Sequence, residues 1–461
     1  MFDRSVYVGR RQRLARDLDS GIALLLGNDY SSRNYPANVY RFRQDSNFLY
    51  FTGLNRPQLA AIIDIDAGTT TLFGDDAGIE DVVWSGPQPT LASLAGQSGI
   101  EQVSPFSGLP DTFSAARKSG RKIHFLPPYR AENKIMLHHW LGIPFPEMKQ
   151  QASVAMIQAV VAQAAHKSAE EVAEIEKAVN VSGQMHVAVM KAARPGQTEA
   201  QMMALAESIA KAANYELAYG AIVTINGQTL HNESYHNTLK EGQLLLMDMG
   251  AETEMGYAGD ITRTLPVSSR FTPQQRDIYQ IVLETEVGAI QASKPGVPYK
   301  DVHLGAALRI AEGLKSLGLM QGNVQDAVEA GAHALFFPHG LGHMMGLDVH
   351  DMEDLGEDYV GYSDAVKRST QFGLAYLRLA RPLEPGFVLT VEPGIYFIPE
   401  LIKLWGDEGK HKAFINYEKL AGYLNFGGIR VEDNILITKD GHQVLGDPIP
   451  KTVEEVENLR N

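Results

Sequence analysis

"LLLMDMGAETEMGYAGDITRT", residues 244–264, contains two strand-like apolar runs, and each run carries an aspartate. Asp248 ends the first run, and Asp260 lies twelve residues later beside the second. An aspartate is rarely buried in a strand unless it is paired or bound to a metal ion. We therefore predict a hairpin, with "AETEMG" at its turn, in which both carboxylates face one metal site.

A second acid-bearing strand echoes the first one. "LKEGQLLLMDMG" (239–250) and "LEPGFVLTVEPG" (383–394) share a Leu, a Gly, an apolar run, an acid and a final Gly at identical spacing. Glu392 thus occupies the position of Asp248. Each copy follows a helix that opens after a Pro-Gly turn, in "RPGQTEAQ" and "KPGVPYKD". The pattern indicates two duplicated half-domains around a shared central site.

The remaining candidate ligands lie in two other motifs. "GGIRVEDNILIT" carries Glu432 in a β-rich run, and "FFPHGLGHMMGLDVHD" carries His339, His343 and His350. Gly340 stands where a zinc site of the HExxH type needs glutamate, and the two glycines argue against a regular helix. Any one of these acids or histidines alone is more often a hydrogen-bonded structural residue, but so many of them together need cations.

Four carboxylates and one imidazole form a set of mainly hard ligands. Such a set suits Mn²⁺, Co²⁺ or Zn²⁺ better than Ca²⁺, and it is large enough for two ions. Two metal ions together activate water and polarise a carbonyl or phosphoryl oxygen. The residues thus predict a metal-dependent hydrolytic site.

Composition excludes several other classes. The chain has 461 residues, more than one core usually organises, and a net charge of −14, which argues against nucleic acid as a partner. It has no cysteine, so disulfides, thiol nucleophiles and Cys-type zinc sites are excluded. The charged amino terminus does not resemble a signal peptide, and no apolar run is long enough for a membrane span. We expect a cytoplasmic protein with no membrane partner.

The chain reads as an α/β (α+β) protein of two domains. Residues 1–165 alternate strand-like runs such as "GIALLLGN" and "LAAIIDID" with helical ones, whereas residues 151–192 are purely helical in pattern. Ser168 and Glu171 form a capping box that starts a new helix. We therefore predict an N-terminal domain over 1–165 and a catalytic domain over 166–461.

The motifs quoted above resemble those of the pita-bread metallopeptidases, which include Xaa-Pro aminopeptidase (aminopeptidase P) and prolidase. "YRFRQDSNFLYFTGL" (40–54) is similar to their amino-terminal signature. The resemblance implies an N-terminal α/β domain followed by a pita-bread catalytic domain with pseudo-twofold αβ halves. It further implies the five ligands of a dinuclear, typically manganese, centre: Asp248, Asp260, His343, Glu392 and Glu432.

The resemblance also implies individual roles. Asp260 and Glu432 would bridge the two ions, and Glu392 would steer or deprotonate the attacking water. His231, seventeen residues before Asp248, matches a family histidine. The family spaces its two aspartates eleven residues apart rather than twelve, and we expect a bulge or a longer hairpin loop to accommodate the extra residue.

Further side chains would support catalysis or contact the substrate. By the same resemblance, His231 and His350 would bind substrate and stabilise the tetrahedral intermediate, and His339 would lie close by. Arg430 would orient the ligands, and Tyr396 is a weaker candidate for support or substrate contact.

The family cleaves peptides with proline in the second position, and two specificities compete. Arg378 and the long insert 397–428 resemble prolidase, which accepts only dipeptides, whereas the full N-terminal domain favours Xaa-Pro aminopeptidase. We favour the aminopeptidase. A non-catalytic peptide-binding member is a third hypothesis, which the retained ligands oppose. Trp84 stands where relatives place an oligomer contact, so a homo-oligomer, dimer or tetramer, is expected, although a half-buried core role is an equal alternative.

Overall fold

The computed structural model describes residues 1–232 and 234–460, and its chain divides into two compact units. The first unit contains residues 1–164 together with 352–359, and the second contains 165–351 and 360–461. The sequence had placed the short segment 352–359 in the second domain.

The first unit is built on one five-stranded mixed sheet. The strand order is β6-β5-β4-β1-β7, in which β1 is antiparallel to β4 and parallel to β7. The apolar runs predicted as strands form β1, β4, β5 and β7. The elements are α1 (Arg4–Asp17), β1 (Ile22–Leu26), β2 (Ser32–Tyr35), β3 (Asn38–Val39), α2 (Ser46–Thr52), β4 (Ala60–Asp64), β5 (Thr69–Phe73), α3 (Ile79–Ser85), α4 (Leu91–Ser98), β6 (Gln102–Ser104), α5 (Leu109–Lys118), β7 (Ile123–His124), α6 (Ala131–Leu141), α7 (Met148–Gln151) and α8 (Val154–Ala164).

The second unit surrounds two three-stranded antiparallel sheets with helices. Strand orders are β12-β10-β9 and β13-β16-β17. The elements are α9 (Ala169–Ala192), α10 (Glu199–Ala212), β8 (Glu216–Leu217), β9 (Ile222–Thr224), β10 (Leu244–Met249), β11 (Ala251–Glu252), β12 (Ile261–Pro266), α11 (Pro273–Ala292), α12 (Tyr299–Ser316), α13 (Val324–Glu329), β13 (Val388–Val391), β14 (Gly394–Tyr396), α15 (Pro399–Asp407), α16 (Tyr417–Leu420), β15 (Gly428–Arg430), β16 (Asp433–Ile437), β17 (His442–Val444) and α17 (Val453–Arg460). The short helix α14 (Glu357–Val360) lies mainly in the segment 352–359 of the first unit.

Helix α9 begins where the capping box predicts. The Ser168 hydroxyl accepts a hydrogen bond from the Glu171 backbone N–H, and the Glu171 carboxylate accepts one from Ser168 N–H. These bonds satisfy two of the amide groups that a helix leaves without intrahelical partners at its start. The predicted capping box is confirmed.

Matched backbone contacts in the two halves are consistent with the duplication predicted from the sequence. Leu239 exchanges two hydrogen bonds with the Gly196–Gln197 turn, at 2.8 and 2.9 Å. Leu383 exchanges two with the Gly296–Val297 turn, at the same two distances. In each half, therefore, the Pro-Gly turn before a helix is hydrogen-bonded to the start of the acid-bearing strand.

The two three-stranded sheets meet at the strand ends that carry the acidic residues. An isolated antiparallel bridge joins Thr262, on β12 of the first half, to Glu432, just before β16 of the second. Because of this bridge, residues from both halves face one central space. Within 1–232 and 234–460, no helix has both the length and the apolar character that crossing a bilayer requires.

Candidate metal centre

The hairpin of β10 and β12 places both aspartates on one face. Asp248 is directly opposite Thr262, and the same register continues to Glu252 opposite Ala258. Residues two apart on a strand share a face, so Asp260, two before Thr262, projects to the same side as Asp248. The register shows no bulge, and the hairpin tip 253–257 therefore accommodates the longer spacing.

Gly250 allows the two strands to approach closely beside the aspartates. A Cβ atom at this position would lie 1.7 Å from the Gly259 carbonyl oxygen, well inside van der Waals contact. Only glycine fits here without displacing the strand that leads into Asp260.

The segment with His343 pairs with β13 instead of forming a helix, as its glycines predicted. Thr390 N–H donates to His343 O at 3.0 Å, and the Thr390 hydroxyl accepts from His343 N–H at 3.1 Å. The ring Nδ1 lies 3.0 Å from the Met344 carbonyl, which can only accept, so Nδ1 carries the proton. Nε2 faces the acids, 3.4 Å from Asp260 Oδ2 and 3.6 Å from Glu392 Oε1.

Glu432 provides the strongest indication of a bound cation. Its Oε2 accepts a hydrogen bond from the Thr262 hydroxyl at 2.6 Å, whereas its buried Oε1 has no hydrogen-bond partner in the described part of the chain. Burial, reinforced by the neighbouring acids, raises the pKa of Glu432 well above its ordinary value. Donor atoms of Asp260, His343 and Glu432 all lie within 4.8 Å of one another. A divalent cation fits this arrangement, because it would neutralise the acids and occupy the unsatisfied oxygen.

Tyr219 is a site residue that the sequence analysis missed. Its hydroxyl lies 2.7 Å from Asp248 Oδ1 and 2.5 Å from Asp260 Oδ1. One hydroxyl has one proton, so it can donate to only one carboxylate at a time. Burial raises the pKa of Tyr219 well above its usual value, and the neighbouring aspartates raise it further, which keeps the hydroxyl protonated.

The two aspartates respond differently to burial. Burial raises the pKa of Asp248 despite the nearby Arg430 guanidinium. At Asp260, burial also favours the neutral form, but His343 and Tyr219 outweigh it and lower the pKa of this carboxyl. For Glu392, burial raises the pKa to about 7.

Arg430 links Asp248 to His339 through a chain of hydrogen bonds. Its guanidinium donates to Asp248 Oδ2, to the Tyr396 hydroxyl at 2.7 Å and to the Thr262 hydroxyl at 3.0 Å. The Tyr396 hydroxyl in turn lies 2.8 Å from His339 Nε2. Burial lowers the pKa of His339 to about 3, so the ring is neutral and can accept from Tyr396. Tyr396 is fully buried and contacts the site residues Arg430 and His339 through its hydroxyl.

All the polar side chains predicted for the site, except Tyr396, line one cavity of about 640 Å³. The ring centroid of His350 lies 4.3 Å from that of His343, while His231 lies on the exposed side of the cavity and Arg378 is half-buried. The predicted residues in the lining are His231, Asp248, Asp260, His339, His343, His350, Arg378, Glu392, Arg430 and Glu432.

Comparison with known proteins identifies the family. Residues 173–439 match the model of metallopeptidase family M24, and residues 7–124 match that of the aminopeptidase P N-terminal domain. The chain belongs to metallopeptidase family M24. The fold and the family inferred from the sequence are therefore confirmed.

Similar proteins cover most of this M24 chain. A probable Xaa-Pro aminopeptidase of Botryotinia fuckeliana is 36% identical, over 91% of this chain and 88% of its own. One from Sordaria macrospora is 35% identical, over 95% of this chain and 91% of its own. The structure of Pseudomonas aeruginosa aminopeptidase PepP superposes with a TM-score of 0.81 at 29% identity, covering 100% of this chain and 98% of that one. The structure of Escherichia coli aminopeptidase P with the inhibitor Pro-Leu has the same TM-score, sequence identity and coverage.

Proposed function

We propose that this chain is an Xaa-Pro aminopeptidase that hydrolyses the amino-terminal Xaa–Pro bond of peptides. The observation that carries the proposal is the convergence of four carboxylates and one imidazole, drawn from both halves, on one cavity. Relatives over most of the chain are named probable Xaa-Pro aminopeptidases, which supports the same reaction.

The proposed cofactor is a pair of divalent ions, with Mn²⁺ favoured over Co²⁺ or Zn²⁺. The hard oxygen donors and single imidazole suit these metals. The residues that would hold them are Asp248, Asp260, His343, Glu392 and Glu432. Asp260 and Glu432 would hold both ions, and the Oε1 atom of Glu432, which has no hydrogen-bond partner in the described residues, would be available to a cation. When bound, the ions supply Lewis acidity that activates water and polarises the peptide carbonyl.

The chain's own residues move the proton and hold the substrate. Glu392 is the proposed proton acceptor, because its carboxylate lies in the cavity lining together with the other candidate ligands. His231 and His350 are proposed to contact the substrate around the scissile carbonyl, and His339 lies beside Glu392, with Nδ1 4.0 Å from Oε2. Arg430 holds Asp248 in place through its charged hydrogen bond, which favours the ionised carboxylate.

The substrates of this reaction need a dedicated enzyme for a physical reason. The peptide bond before proline has no N–H, so peptidases that hydrogen-bond that group cannot hold it. A site that acts on the carbonyl and the free amino terminus does not need it.

Prolidase activity is the second candidate, and Arg378 favours it. This guanidinium lies in the lining of the same cavity, where it could bind the carboxylate of a dipeptide's proline. The aminopeptidase is preferred because of the relatives and the neighbouring structures.

The decisive experiment compares two substrates on the Mn²⁺-loaded protein. Release of arginine from Arg-Pro-Pro supports the aminopeptidase, whereas cleavage of Gly-Pro alone supports prolidase. Absence of cleavage of both with Mn²⁺, Co²⁺ and Zn²⁺ would instead favour a non-catalytic peptide-binding protein. Glu432→Gln is the matched variant, and it should lose bound metal and activity together.

We further propose that the protein forms an oligomer in the cytoplasm. Helix α3 exposes three large apolar side chains: Ile79 at 77%, Val83 at 72% and Trp84 at 87%. Exposed apolar groups clustered on one short helix favour a contact with a second copy of the chain. The cytoplasmic location rests only on the sequence and stays a prediction.

A further inference from the structure

A buried ion pair lies beside the site but outside its cavity. Lys167, just before α9, has a side chain that is 1% exposed, and its Nζ lies 2.7 Å from Asp351 Oδ2. Removing two charges from water is costly, and an apolar pair of similar volume often stabilises a protein as well. A buried pair at this position therefore suggests a role other than stability.

Asp351 controls the loop that carries His350. Its backbone N–H donates to Met344 O at 3.0 Å, which closes the loop 344–351. Inside this loop the ring of His350 stands nearly perpendicular to that of His343, at 73°, with centroids 4.3 Å apart. Because His350 precedes Asp351 directly, fixing Asp351 restricts where this ring can lie.

Gly346 shows how closely the loop surrounds the ion pair. A Cβ atom at Gly346 would lie 2.6 Å from Asp351 Oδ2 and 2.8 Å from Lys167 Cε. The Gly346 carbonyl also accepts a hydrogen bond from Ala258 N–H at 2.9 Å. The loop thus lies directly on the ion pair and is tied to the hairpin that carries the two aspartates.

The backbone of Lys167 is hydrogen-bonded to the segment that precedes β13. Its backbone N–H donates to Gly386 O at 2.8 Å, in the turn that precedes β13. Strand β13 leads into Glu392. Lys167 is therefore held to the strand of one site residue while its ammonium group holds the loop of another.

We infer that Lys167 is a positioning residue, which acts through Asp351 to hold His350 in place over His343. The inference rests on the proposed function, in which His350 contacts the peptide. Lys167 touches neither substrate nor metal in this role. Its contribution is to keep the imidazole where the scissile bond is bound.

A double-mutant cycle tests whether Lys167 acts through His350. We expect Lys167→Met to lower kcat/KM for Arg-Pro-Pro on the order of 10- to 100-fold, as small misplacements of a substrate-contacting group do, with bound metal unchanged. In a His350→Ala background the same substitution should cost less than about twofold, because coupled residues are not additive. Equal losses in both backgrounds would refute the inference.

Matched variants separate this role from general destabilisation. Lys177→Met makes the same change on α9, at a side chain 58% exposed and paired with Glu174, and should leave kcat/KM unchanged. Gly346→Ala displaces the ion pair without removing a charge, so it should reproduce the loss and the same coupling to His350. It also serves if Lys167→Met does not fold.

A spectroscopic readout keeps this inference distinct from the proposed function. In histidine-labelled protein, the ring signal that disappears in His350→Ala should shift in Lys167→Met and stay in place in Lys177→Met. An unmoved signal refutes the positioning role even if the enzyme is active. A shifted signal in a protein that cleaves no peptide supports the positioning role and rejects the proposed function. Full activity of His350→Ala would refute the inference together with the substrate contact on which it rests.

Discussion

At the scale of single residues, the site combines four negatively charged side chains with few hydrogen-bond donors. Asp248, Asp260, Glu392 and Glu432 share one cavity; Arg430 is a charged side chain that donates to them, and Tyr219 and Thr262 are neutral ones. Mutating a donor that holds a metal-binding carboxylate in place commonly costs about 10- to 100-fold in metal affinity or activity. Tyr219 is thus expected to be as important as some of the ligands.

Replacing Tyr219 tests this expectation. Tyr219→Phe removes the hydroxyl that lies between the two aspartates, and we expect metal affinity to fall about 10- to 100-fold. Titration calorimetry with Mn²⁺ measures the change. Tyr417→Phe is the control, because its hydroxyl donates to the Lys410 carbonyl and Tyr417 is outside the cavity lining. Unchanged affinity in Tyr219→Phe would contradict the assigned role.

Residues were predictable from the sequence where their type carried the information. An aspartate inside an apolar strand is costly, and this cost alone drew attention to Asp248 and Asp260. Tyr219 carries no such signal, because a buried tyrosine needs only one hydrogen-bond partner and occurs in most cores. Lys167 and Asp351 are 184 residues apart, so nothing local indicated their pairing.

At the scale of elements, the hairpin of β10 and β12 is the rigid support of the site. Its register sets which side chains share a face, and a one-residue slip would turn Asp260 away. The sequence predicted the hairpin from its apolar runs and turn. It left open whether a bulge or a longer loop would absorb the extra residue, since that depends on tip contacts such as Thr253 N–H to Tyr257 O at 2.9 Å.

The closest backbone contact of the hairpin is at Gly250. Gly250→Ala would place a methyl group 1.7 Å from Gly259 O, so we expect a loss of about 1–3 kcal/mol in the free energy of unfolding. Metal affinity should fall too, because the strand before Asp260 must move. Denaturant unfolding with and without Mn²⁺ measures both. Gly441→Ala, where no atom lies within 4 Å of the added Cβ, should change neither, and equal behaviour of the two variants would be evidence against the close approach.

At the scale of the whole molecule, groups outside the site bear on the proposed assembly and on acid stability. The apolar face of α3 bears on assembly, and a pair of buried histidines bears on acid stability. His303 and His333 are both fully buried, and neither ring nitrogen of His303 has a hydrogen-bond partner in the described residues.

Assembly is tested by a charge on the exposed helix. Trp84→Glu places a carboxylate in the apolar face of α3, and we expect the oligomer to dissociate because an unpaired charge is costly to bury at an interface. Light scattering after size exclusion measures the mass. Val444→Glu changes another exposed apolar residue, 42% exposed, and should keep the assembly intact. Identical masses for Trp84→Glu and the wild type would exclude α3 as the contact.

These two histidines contribute to the loss of stability in acid. Burial lowers the pKa of His303 from 6.5 to about 3 and that of His333 to about 4. Between those values and 6.5 the unfolded chain binds protons that the folded chain does not, so the protein loses stability as the pH falls below 6.5.

A substitution of one histidine should reduce this acid sensitivity. His303→Phe should take up about one proton fewer on unfolding near pH 5, equivalent to about 1.4 kcal/mol less slope per pH unit. Unfolding free energies from pH 4.5 to 7 give the slope. His236→Phe, at an exposed position, should keep the wild-type slope, and a steep slope in His303→Phe would mean that another group dominates.

The bridge between Thr262 and Glu432 has one more consequence. Ions bound by Asp248 and Asp260 of the first repeat and by Glu392 and Glu432 of the second would cross-link the two repeats. Removing the ions should therefore weaken the contact between the repeats before the strands within either repeat separate. After chelation, the amide hydrogen of Glu432, bonded to Thr262 O at 3.1 Å, should exchange with deuterium much faster, while amides in the middle of β10 stay protected.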